Sequence, residues 1–177
     1  MMSPMPIIVL GLQLLLSGCQ YVAVQSSQLN GVISAFYPDS AALPDSAWVV
    51  QFGGYSEAVR PVTVKTSTVF VNDLDAITFN GWAVTQVSGL SSFVPAWDIK
   101  DSGSERSFVV KGQIVATHQC GAWLKGVAEV GVRFEQQCKG SRDYTNTILV
   151  DSQGQITNIE QVVDSSLMVL RLRLGNY

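Results

Sequence analysis

The chain has 177 residues, a net charge of -3 and only 14% charged residues, with a pI near 5.0. That is enough for one domain with a proper core, and the dispersed basic residues weigh against recognition of nucleic acid or electrostatic docking on anionic lipid. Abundant aromatic, β-branched, Ser and Thr residues favour strands and polar turns over surface helices.

The first element is an apolar run, 7–16, with Gln13 its single polar residue. It is too short to span a bilayer as a stable helix and has the length of the apolar core of a secretory signal. Leu16-Ser17-Gly18-Cys19 closes the run and resembles a bacterial lipobox. The resemblance implies cleavage between Gly18 and Cys19, diacylation of the Cys19 thiol and N-acylation of the new terminus, more than the two signals lasting attachment requires. The alternatives are an ordinary secretory signal with an accidental cysteine, or a short buried helix. The start lacks the Lys or Arg of a signal, and Met1-Met2 leaves the first codon open. Gln20, where an Asp would retain such a protein at the inner membrane, implies the outer membrane, facing the periplasm. The expected division is therefore signal peptide 1–18, lipidated tether and entry segment 19–45, and β domain 46–177.

From 47 onward short strand candidates follow one another. Residues 47–52 end at the turn signal Gly53-Gly54, and 60–72 (RPVTVKTSTVFVN) reads as one strand of period two. Residues 75–85 read as two strands about Asn80-Gly81, the strongest short hairpin signal present. Residues 91–105, with Pro95, Trp97 and Gly103, read as the longest loop. Strand patterns resume at 106–117 and 127–137, then 144–150, 155–163 and 167–174. In the last, Arg171 and Arg173 oppose Leu170, Leu172 and Leu174, as one-sided burial in an antiparallel sheet requires. Eight to ten such strands need closure to protect their edges. The fold expected is mainly β: a single antiparallel barrel or a strongly curved sandwich, preceded by the cleaved lipoprotein signal peptide and a short tether.

With Cys19 consumed by lipid, Cys120 and Cys138 remain as an even pair. Bridged, they close a loop of about 19 residues worth about 3 kcal/mol of chain entropy. The rival reading, two metal thiolates, needs further ligands, and the one histidine is His118. No metal or cofactor is implied.

Catalytic material is sparse. A Ser-His-Asp triad would have to use His118, and no Gly-x-Ser-x-Gly elbow occurs. Glu129 and Glu135 read as sharing one strand about 20 Å apart, too far for paired-carboxylate chemistry; Asp98 and Glu160 stay open as partners from other strands. No catalytic residue is assigned. Trp97 and Trp123, in predicted loops, are candidate contacts for a ligand or partner, since sugar rings stack on exposed aromatics. Core packing is the alternative, and the favoured one for Trp48 and Trp82.

The stretch 75–90 (DAITFNGWAVTQVSGL) resembles a recurrent element of the YjbF/GfcB lipoproteins of exopolysaccharide and group 4 capsule operons: a strand, a glycine-centred turn, and a strand ending in Gly-Leu. The stretch 144–161 (YTNTILVDSQGQITNIEQ) is similar to their C-terminal element: an Asn, an aliphatic strand, Asp-x-x-Gly, and a strand ending in Gln. Two positions depart. Ile148-Leu149 stand where the family shows Tyr-Trp, and Trp82 where a basic residue often follows the hairpin glycine; both weaken any carried-over surface role. The resemblance implies an all-β, outer-membrane-anchored accessory protein of surface polysaccharide export without catalytic residues. Its partners would be envelope proteins of the export system and the glycan itself. The second expectation is a small barrel carrying a lipid or oligosaccharide, which requires an apolar or aromatic-lined cavity. The third is an envelope enzyme, which requires His118 or two carboxylates converging in a cleft.

Overall fold

The computed structural model describes residues 47–91 and 93–175; the lipobox Cys19, the signal segment and the tether lie outside the described residues. The described secondary structure is thirteen antiparallel strands: β1 (Trp48–Phe52), β2 (Tyr55–Val64), β3 (Ser67–Val71), β4 (Ala76–Phe79), β5 (Val84–Gly89), β6 (Phe93–Asp101), β7 (Glu105–Val110), β8 (Gln113–Cys120), β9 (Leu124–Val127), β10 (Val132–Lys139), β11 (Asp143–Val150), β12 (Ile156–Val162) and β13 (Val169–Leu174). β13 returns to pair with β1, and β10 bridges β8 to β11, so twelve strands close into a barrel. β9 continues the line of β8 beyond a break at 121–123 and pairs with β10 alone.

Alternation drives closure. Trp48, Val50 and Phe52 of β1 and Leu170 and Leu172 of β13 are buried and lie opposite one another across the β1–β13 ladder. The intervening Arg171 and Arg173 face out and both meet Glu160 of β12, at 3.4 and 3.0 Å. The interior is aromatic, with Phe70 against Trp48 and Phe93 against Phe52 at ring separations of 4.8 and 4.9 Å. The exposed outer face carries Lys100, Arg133, Lys139 and Arg171, the reverse of the apolar outer band of a transmembrane barrel.

Several local expectations are corrected. Residues 60–72 form a hairpin, β2 and β3, because Lys65 turns the chain in the left-handed region (φ 56°). Residues 106–117 are likewise split between β7 and β8, with Lys111 and Gly112 at φ 51° and 77°, the positive pair of a type I′ turn. Residues 91–105 are mostly the nine-residue β6 rather than a loop. Pro95 fits within it because the β5–β6 ladder shifts register there and pairing to β7 begins only at Trp97, so no ladder hydrogen bond is lost. Glu129 lies in the turn between β9 and β10, so it does not share a strand with Glu135.

Far from the β4–β5 turn, Asp75 organises the opposite rim. Its buried carboxylate accepts hydrogen bonds from Tyr55 Oη, from Asn72 Nδ2 (2.8 Å) and from the Leu90 amide (2.7 Å). Burial, then Asp75 itself, pushes the Tyr55 phenol up to about 12. Gly89 adjoins this knot with φ 82°, and a Cβ there would overlap the Leu74 carbonyl. This accounts for a Gly-Leu pair at the end of β5.

Cys120 and Cys138 form a disulfide. It sits where β8 and β10 share just two residue pairs, Cys120–Cys138 and Gln119–Lys139, and so staples the seam with the shortest ladder. The double substitution Cys120→Ser/Cys138→Ser is expected to lower unfolding free energy by about 3 kcal/mol, the loop-closure value, read from urea denaturation. A midpoint equal to that of the oxidised parent would show that the seam holds without its staple.

Candidate functional site: an aromatic cleft at one end of the barrel

Arg106 of β7 is completely buried in the lumen. Its Nη1 donates to Asp101 Oδ2 (2.8 Å), Nη2 to Gln161 Oε1 (3.0 Å) and the Val84 carbonyl (3.4 Å), and Nε to the Val162 carbonyl (3.2 Å). Burial draws its pKa below the ordinary value, opposed chiefly by Asp101. The guanidinium thus ties β6, β5 and β12 to β7, placing four of the five donors of the fork.

Gln161 carries the connection to the rim. Its Oε1 also accepts from the Val84 amide (2.9 Å), and its Nε2 donates to the Trp82 carbonyl (2.8 Å). The β4–β5 turn is thereby drawn against β12. The turn is braced internally, since Asn80 Oδ1 accepts from the Trp82 and Ala83 amides at 3.0 and 2.8 Å. Trp82, 49% exposed, stands on this brace. Its ring lies 5.3 Å from Phe134 edge-on and 5.8 Å from Trp123, tilted by 44°. Together with Asn80, Ala83, Asp101 and Gly103 the two indoles line an open cleft of about 440 Å³, within the size range of small-molecule sites.

The cleft offers two π faces, an amide and a carboxylate. Asp101 is engaged on both oxygens, Oδ2 by Arg106 and Oδ1 by the Gly103 amide (2.8 Å). This fixes its position in the wall. Such a surface suits a ligand with apolar ring faces and hydroxyl edges.

A second polar layer lies inside the wall. Asn146 donates to Gln136 Oε1 (3.1 Å) and accepts from the Val162 amide (3.0 Å). His118 is buried, with Nδ1 2.9 Å from Tyr144 Oη and its ring against Phe108. Gly140 closes over it, since a Cβ there would sit 2.7 Å from Nε2. Burial first and Arg106 second push His118 down from 6.5. Burial also raises Tyr144 to about 12, against the pull of Arg106.

Of the sequence candidates, Trp123 lines the cleft and Trp97 does not; it is half-buried on β6 against Phe93, at 5.7 Å. Trp48 is in the core, whereas Trp82, which strand patterning assigns there, is exposed in the cleft. Its position directly after Asn80-Gly81 was the available signal, because a hairpin turn puts that residue at a rim. Cys120 and Cys138 are bonded to each other, which removes the metal-thiolate alternative. Asp98 meets Gln86 (2.9 Å) and Glu160 its two arginines, both on the outer wall.

No family model matches the chain, and no curated protein matches it. Among solved structures it is similar in fold to the hypothetical lipoprotein YmcC from Escherichia coli (TM-score 0.54). The two are 11% identical, over 81% of this chain and 86% of that one.

Asp101→Ala leaves the Arg106 cation buried without its counter-charge and is expected to destabilise the fold by about 3–5 kcal/mol, measured by urea denaturation. His118 gives a pH signature. Its folded pKa is depressed, so its contribution is full above about 6.5 and is lost as pH falls below that value toward the folded one. Stability should therefore rise with pH through this window, and the rise should be shallower in His118→Gln; parallel curves would exclude His118 as the source.

Proposed function

We propose that this chain is a lipid-anchored, non-enzymatic protein of the bacterial envelope that binds saccharide in the Trp82–Trp123 cleft. Its role would be that of an accessory factor in extracellular or capsular polysaccharide assembly or export. The cleft carries the reading: two indole faces beside an amide and a carboxylate form a platform for pyranose rings. The polar outer wall supports work in an aqueous compartment. Leu16-Ser17-Gly18-Cys19, with Gln20 following, supports acylation at Cys19 and placement on the outer membrane facing the periplasm. Similarity in fold to a hypothetical lipoprotein is in keeping with this. The YjbF/GfcB-like stretches 75–90 and 144–161 direct the reading to polysaccharide export, with envelope proteins of that system as partners. The two stretches meet where Gln161 binds the Trp82 carbonyl.

A carrier role for a lipid is the second reading, favoured by the largely aromatic lining of the same cleft. Titration of the purified protein with extracellular polysaccharide and, separately, with a fatty acid, followed by tryptophan fluorescence, distinguishes the two. Saccharide should bind, and Trp82→Ala or Trp123→Ala should each weaken it about tenfold, equivalent to about 1.4 kcal/mol, without a large loss of stability. Saturable binding of fatty acid alone would transfer the cleft to the carrier reading, and affinity indifferent to both tryptophans would place the ligand elsewhere.

A further inference from the structure

Strand alternation sends the turns of the barrel to two ends. The chain enters β1 at the end that holds the β4–β5, β6–β7 and β9–β10 turns, where the Ala47 carbonyl accepts the Gly175 amide at 2.8 Å. The cleft is at that end. So is β9, whose four residues are all exposed and whose second edge has no strand partner among the described residues. Beyond the break at 121–123, β9 and the β9–β10 turn form an arm on the edge of β10, which itself stays in the wall paired with β11. Beside the exposed Lys125 and Glu129 the arm shows three apolar side chains: Leu124 is 65% exposed, Val127 95% and Val130 70%. Three such residues within seven contrast with Val64, alone at the β2–β3 turn, and with Leu74, the pair Ile114 and Val115, and Met168, which are exposed near separate turns at the opposite end. Clustering of this kind marks a contact surface, while isolated exposed residues do not.

We infer that the β9–β10 arm is a membrane-contact element whose tip enters the interface of a phospholipid bilayer. The inference rests on the lipid-anchor part of the function proposed above. Acyl chains on Cys19 fix one end of the 20–46 segment at the bilayer, and its other end joins the barrel at Ala47, on the rim the arm shares. The chain thus enters the barrel on the rim that carries the exposed aliphatic residues. Trp82 and Trp123 stand beside the arm, and indole rings settle at the depth where hydrocarbon meets headgroups. Lys125 and Glu129 balance each other in charge, so contact is hydrophobic and resists screening by salt. Docked in this way, the cleft opens at the membrane surface.

The test uses the mature chain with Cys19→Ser, which cannot be acylated, floated with vesicles of phosphatidylethanolamine and phosphatidylglycerol. The protein should rise with the vesicles equally at about 50 mM and about 500 mM salt, and brominated lipid should quench its tryptophans. Val127→Asp/Val130→Asp should lower the bound fraction at least about tenfold with an unchanged urea midpoint, since both positions are exposed. A Cys19→Ser chain that stays in the dense fraction overturns the inference. So does a double variant that floats as its parent does, or binding abolished by salt. Mass spectrometry of the wild-type protein reads acylation of Cys19 independently, so failure of the anchor and failure of the arm are distinguishable.

Discussion

A closed barrel of twelve strands encloses more space than a ring of eight, whose inward side chains fill the interior unaided. That excess lumen is the constraint this structure has to meet, and Arg106 is central to meeting it. Its guanidinium reaches four acceptors on three other strands, two of them backbone carbonyls, and draws walls together that the ladder alone does not connect. A lysine could not do this, because a single ammonium cannot present donors in a fork spread over such distances. Desolvating the cation is costly, and Asp101 offsets that cost. Around this polar centre, Trp48, Phe52, Phe70, Phe93 and Phe108 occupy the remaining space.

The cleft is a by-product of the same solution. Gln161 accepts from Arg106 with one end of its amide and holds the Trp82 carbonyl with the other. The turn bearing Trp82 is therefore fixed from behind by the lumen, and Asp101 serves as both counter-ion and cleft wall. The cleft consequently inherits the rigidity of the core; its tryptophans sit beside a strand and on a braced turn rather than on a long loop, and a ligand docking there would meet little ordering cost.

What local sequence pattern encodes was legible. Alternation at 48–52 and 169–174, the Asn80-Gly81 hairpin and the even cysteine pair each depend on neighbours in sequence or on simple counting, and each is present in the fold. The turn at Lys65 was not legible, since a non-glycine residue takes the positive φ and β-branched neighbours mask it, whereas at Lys111 the following Gly112 was the available signal. Pro95 and Gly103 suggested a loop where a register shift lets β6 run through. Arg106, Gln161 and Asn146 looked like ordinary polar residues in strands, because their partners lie 55, 79 and 16 positions away. Trp82 follows Asn80-Gly81, a local sign of a rim position, but the contact that holds its turn comes from another strand. The two stretches that carry the family resemblance contain both sides of that contact, although neither reveals in isolation why its glutamine or asparagine is there.

The pairing of β1 with β13 has a consequence for how the chain comes to be folded. Residues 48–52 are among the first of the barrel to be synthesised, and their partners, 170–174, are the last. Until Leu174 is available, the wall has two open edges and the aromatic interior faces water, so closure is a post-synthetic event of high contact order. A chain delivered N-terminus first must therefore survive as an incomplete, sticky curved sheet for the whole time its C-terminus takes to arrive. Any agent that shields strand edges during that interval would set the yield of this protein more than the stability of its finished barrel.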